Sequence, residues 1–89
     1  MSVWTLSLTG DAESDFGKLD RVTRKQVLEK LEWFTENFDN IHPAPLAGRW
    51  QGFFKLRVSD WRVIYHADYT KLLLLVYVID RRDRIYKRR

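Results

Sequence analysis

The sequence predicts an α+β fold of order β-α-α-β-β-β, a two-helix hairpin packed on one face of a small, mostly antiparallel sheet. Three observations predict it. Residues 3–8 alternate large apolar with small or polar side chains, the period of a half-buried strand. Residues 23–38 place apolar side chains at helical spacing. Residues 53–79 hold three more apolar runs, separated by turn residues.

In the first strand, Trp4, Leu6 and Leu8 share one face. Thr9-Gly10-Asp11 ends it, and Asp11 is the expected N-cap of a short helix over 12–19 that turns Phe16 and Leu19 inward. The main helix is expected to start at Thr23. Its stripe is Val27, Leu31, Phe34 and Phe38, with Glu29, Glu32, Glu36, Lys25 and Lys30 off it. A connection this short, around residues 20–22, predicts an antiparallel pair of helices. The segment His42-Pro43-Ala44-Pro45 suits no regular element.

The second half predicts a meander. In the run 53–58, Phe54, Leu56 and Val58 face one way and Phe53, Lys55 and Arg57 the other. Ser59-Asp60 is a two-residue turn. In 61–67, Trp61, Val63 and Tyr65 oppose Arg62, Ile64 and His66. A turn at 68–70 leads to the run 71–79, apolar on both faces and therefore expected inside the sheet. Residues 84–86 are expected as a last short strand.

A chain of 89 residues is one domain, 1–89. With 45% hydrophobic and 31% charged residues it is a folded chain, not a disordered tail. The absence of cysteine excludes disulfides, thiolate nucleophiles and Cys-type zinc sites. His42 and His66 match no metal spacing, so neither metal nor cofactor is expected. His66 lies about 13 Å along its strand from Arg62, which disfavours a joint catalytic role. The N-terminus lacks the pattern of a signal peptide, and the eight apolar residues 72–79 are too few to span a membrane. A cytoplasmic protein with no membrane partner is the expectation.

The net charge of +4 is unevenly placed. Residues 1–45 carry 5 Lys/Arg against 8 Asp/Glu, a net −3, whereas residues 46–89 carry 11 against 4, a net +7. Lys55, Arg57 and Arg62 interrupt otherwise apolar strands. The last ten residues hold six cations, interleaved with Ile85 and Tyr86. Cations for phosphates with an aromatic ring for a base are the parts of an RNA-binding surface. The plainer alternative is a wet sheet face and a solvated end.

The element order, together with Leu46-Ala47-Gly48, Phe54-Lys55-Leu56-Arg57-Val58, Trp61-Arg62-Val63-Ile64-Tyr65 and Asp80-Arg81-Arg82-Asp83-Arg84-Ile85-Tyr86, resembles the RelE/ParE toxin superfamily nearly end to end. The resemblance implies the toxin of a type II toxin–antitoxin system, neutralised by a cognate antitoxin. Its ribosome-dependent members enter the ribosomal A site and cut mRNA without a metal. By position, the resemblance implies that Lys55, Arg62, Arg82 and Tyr86 are catalytic. Lys55 is then the candidate base, Arg62 and Arg82 the groups that stabilise phosphorane charge, and Tyr86 a stacking or positioning group. Arg57, Arg81, Arg84, Lys87 and Arg88 are the candidate RNA-binding cations. Phe53 departs from the pattern, since RelE-like members can carry a second lysine there. The alternatives are a ParE-like inhibitor of DNA gyrase with no chemistry of its own, and an inactive RNA-binding module.

Overall fold

The computed structural model describes residues 3–88, and its elements follow the expected order. Strand β1 is Thr5–Leu8, helix α1 Gly10–Gly17 and helix α2 Arg21–Glu36. Then come β2 (Ala44–Pro45), β3 (Phe54–Val58), β4 (Trp61–Asp68) and β5 (Leu73–Arg81). The sheet order is β1-β5-β4-β3-β2. β5 pairs with β1 in parallel and with β4 antiparallel, and β3 pairs antiparallel with β4 and β2.

Both helices begin two residues before the expected positions. Thr9, not Asp11, caps α1: its hydroxyl oxygen accepts from the Ala12 amide at 3.2 Å and donates to the Tyr77 carbonyl at 3.1 Å. Asp11 falls in the first turn, where a carboxylate still favours the helix dipole. Asp20 caps α2 by accepting from the Thr23 amide. Hydrogen bonding from the Thr23 side chain, then its amide, holds the Asp20 carboxyl below the usual carboxylate range.

The helices cover one sheet face. Their apolar stripe Val27, Leu31, Phe34 and Phe38 is buried with Trp4, Val63, Tyr65, Leu74, Val76 and Ile79. Phe38 belongs to a 3-10 turn just past α2, which carries the stripe beyond the helix end. A second, smaller cluster lies apart from the first: Trp50, Ile64, Val78 and Ile85, with Leu46 and Phe53 against it. The register slips between Ile64 and Tyr65, so that Ile64 faces Val78 while Tyr65 faces Val76. The extra residue, Tyr77, meets Phe53 with ring centroids 4.7 Å apart.

Two further expectations are corrected. Residues 44–45 do form a strand, short enough for Pro45 to tolerate at a sheet edge. Residues 85–87 are a 3-10 turn, not a strand, because Ile85 is drawn fully into the second cluster. Among the described residues no helix is long and apolar enough to cross a membrane.

Candidate nucleic-acid interface

The strand register fixes how the basic side chains meet. Arg57 lies directly opposite Arg62, which lies opposite Asp80; Lys55 lies opposite Ile64, which lies opposite Val78. Lys55, Arg57 and Arg62 are therefore neighbours on one face. Ile85 packs on Ile64 and Val78, so the tail folds over this same face.

Arginines placed opposite one another repel. Here they diverge. Arg57 is exposed, whereas Arg62 is only 8% exposed. Its Nη1 donates to the carbonyls of Ser59 at 2.9 Å and Trp61 at 2.8 Å. Those contacts brace the β3–β4 turn, where Ser59 takes a left-handed φ of 56° without being glycine. The braced turn then holds Arg82, whose amide donates to the Asp60 carbonyl at 2.9 Å. Lys55 precedes Asp60 by five residues, roughly 16 Å of strand. Lys55 and Arg82 thus mark two ends of a face, not one tight cluster.

The tail cations divide into two groups. Arg88 Nη1 bridges Asp15 at 3.0 Å and Asp80 at 3.2 Å. Arg84 reaches Asp80 at 3.3 Å. Arg81 pairs loosely with Asp83 at 3.8 Å and lies 5.8 Å from the centre of the Trp61 ring. Lys55, Arg57, Arg82 and Lys87 form no ion pair among the described residues. Tyr86 is 42% exposed, so its ring is accessible for stacking. Asp15, which holds the tail from α1, carried no signal in the sequence, since an anchor 73 residues away from Arg88 leaves no local pattern. Phe53, at the position where RelE-like sequences can carry a second lysine, sits edge-on to Trp50 at 5.4 Å and supports the second cluster.

The residues match the family model described as "ParE toxin of type II toxin-antitoxin system, parDE" over positions 6–86. The chain belongs to the ParE toxin family. The solved structures that resemble the toxin agree on its fold. One is the RelBE2 toxin–antitoxin complex of Mycobacterium tuberculosis, with a TM-score of 0.78 and 22% identity over 89% of this chain and 98% of that one. Another is the isolated RelE toxin of E. coli, with 0.74 and 22% over 96% and 93%. A third is the YoeB/ParE toxin of Agrobacterium tumefaciens, with 0.69 and 17% over 86% and 96%. No curated protein sequence matches.

Proposed function

We propose that the toxin is a ribosome-dependent, metal-independent mRNA endoribonuclease of the cytoplasm, which blocks translation until a cognate antitoxin covers it. The observation that carries this reading is the basic face built from Lys55, Arg57 and Arg62, onto which Ile85 folds the cationic tail and the open ring of Tyr86. Such a face offers phosphates several cations and a base a stacking partner.

Cleavage needs no external group. The RNA 2′-oxygen attacks the adjacent phosphorus, its proton passes to the neutral amine form of Lys55, which becomes the ammonium, and the P–O5′ bond breaks. The O5′ leaves with a proton from water, and a 2′,3′-cyclic phosphate remains. Arg57, exposed and two residues from Lys55 on the same face, forks onto the phosphorane oxygens, and Arg82, also exposed, holds a phosphate further along the face. Arg62 adds charge beneath them and, through the braced turn, fixes where Arg82 stands. Lys55 and Arg82 stand well apart, so the RNA must run along the face from one to the other. The ribosomal A site would impose that orientation, which alone can supply several kcal/mol. Arg81 and Lys87 extend the cationic track, while Arg84 and Arg88, paired with Asp80 and Asp15, hold the tail that carries it.

Lys55→Ala and Arg82→Ala, which remove exposed or half-buried groups, are expected to lower cleavage in a reconstituted translation mixture at least tenfold with folding intact. Undiminished cleavage in both would remove these residues from the site. The second reading is inhibition of DNA gyrase. It is favoured by the ParE family model and by the apolar Phe53 in place of a second lysine. A gyrase supercoiling assay separates the two.

A further inference from the structure

On the sheet face that carries the second apolar cluster, a pocket of about 340 Å³ opens beside the basic residues. Trp50, Phe53, Tyr77 and Val78 line it, and Thr9 and Asp11, at the corner between β1 and α1, close one side. The chemistry proposed above uses none of these six residues.

Three features shape this pocket for a flat guest with hydrogen-bond donors. First, the register slip in β5 puts the consecutive residues Tyr77 and Val78 on one face, where strict alternation would turn Tyr77 toward the helices. Tyr77 then meets Phe53 at 4.7 Å and 84°, and Trp50 meets Phe53 at 5.4 Å and 86°. These rings are orthogonal panels, and Phe53 and Tyr77 are both half-buried. A planar guest lies on one ring and meets the next by its edge. Second, the corner is fastened to the strand. The Thr9 hydroxyl donates to the Tyr77 carbonyl at 3.1 Å, and its oxygen accepts from the Ala12 amide at 3.2 Å. Thr9 is thereby committed to positioning, which leaves recognition to Asp11. Third, Asp11 is exposed and forms no ion pair among the described residues. Its carboxylate repels a phosphate and accepts from N–H groups.

We infer that this pocket takes one base of the bound RNA and selects guanine through Asp11. Phe53 precedes Lys55 by two residues on the same face, roughly 7 Å along the strand. An RNA whose phosphate lies on Lys55 and Arg57 therefore brings a neighbouring base to the pocket. An aromatic box with a carboxylate also suits a cation, but Lys55 and Arg57 beside it attract a polyanion and repel a cationic guest. Guanine presents N1–H and its exocyclic amine side by side, one donor for each Asp11 oxygen. Adenine and cytosine set one amine beside a ring-nitrogen lone pair, and uracil sets one N–H between two carbonyls. Each of these three turns a lone pair toward a carboxylate oxygen, which disfavours it. The inference rests on the RNA-cutting reading above and makes the base beside Lys55 a determinant of where the cut falls.

The test is the affinity of the full-length toxin for short 2′-O-methyl RNAs, which resist cleavage. One is all uridine, and the others carry a single central guanosine, adenosine or cytidine. The guanosine RNA is expected to bind at least fivefold more tightly than the other three. Asp11→Asn is expected to move the preference to adenosine, whose amine and neighbouring ring nitrogen match the acceptor and donor of an amide. Glu13→Gln, a carboxylate of the same helical turn outside the pocket, keeps the guanosine preference. Ratios between RNAs are read, because either variant loses one negative charge and tightens every RNA. A guanosine preference that survives Asp11→Asn, or equal binding of all four RNAs by the parent, overturns the pocket and spares the basic face as an RNA surface. No binding of any RNA overturns both. Proton NMR of the Phe53 and Tyr77 rings reads the remaining outcome: shifts caused by tetramethylammonium and not by the guanosine RNA make the pocket a cation cage and overturn the inference.

Discussion

Arg62 occupies a strand position whose alternation places it on the basic face, yet its Nη1 turns back to the carbonyls of Ser59 and Trp61. A buried charged donor bonded to two backbone oxygens stabilises the turn, and removing it strands both acceptors. Arg62→Ala is therefore expected to cost about 1–3 kcal/mol, seen as a lower urea midpoint with an unchanged slope. An unchanged midpoint would show that the turn holds itself. The variant would also report poorly on catalysis alone, which is why Lys55 and Arg82 are the better probes. The face of Arg62 was legible in the sequence from the period of two. Its fold-back was not, because that depends on the left-handed Ser59, and Ser-Asp does not announce such a turn. The capping role of Thr9 was not legible either: Asp11 is the stronger capping type, but the strand hydrogen bond from the Thr9 amide to the Val76 carbonyl fixes where the chain leaves β1.

At the scale of elements, the C-terminal turn is held by a clasp. Arg88 joins Asp15 of α1 to Asp80 of β5, and Asp15 also accepts from the Ile79 amide at 3.0 Å. Ile85 is fully buried between the two anchors. Opening the clasp should free the tail without unfolding the sheet. Arg88→Ala is expected to speed tryptic cleavage within residues 81–88 several-fold, while the global unfolding free energy falls by about 1 kcal/mol or less, as for a partly exposed ion pair. Equal protease resistance in the variant and the parent would show that Ile85 alone suffices. The long elements were legible because their periods are strong: the stripe Val27, Leu31, Phe34 and Phe38 and the run into β5 both end in the core. β2 was hidden because two residues carry no period, and Pro45 argues against a strand unless the strand is at an edge. Six cations in ten residues gave no sign that Arg88 and Arg84 are paired with carboxylates.

Across the whole molecule, the charge asymmetry along the chain becomes an asymmetry between layers. The helices carry most of the carboxylates of the acidic half, and β3, β4 and the tail carry most of the cations of the basic half. Two apolar clusters hold these layers: a large one beneath the helices and a small one under the tail. The small cluster packs the tail, through Ile85, against the face that carries Lys55, Arg57 and Arg62. The central claim is that this face cuts mRNA on the ribosome. It is tested most directly by mapping RNA 5′ ends by primer extension on one defined message, translated or with its start codon disabled, with the toxin added. New ends that arise only on the translated message are the predicted result. An intact message while protein synthesis continues would contradict it.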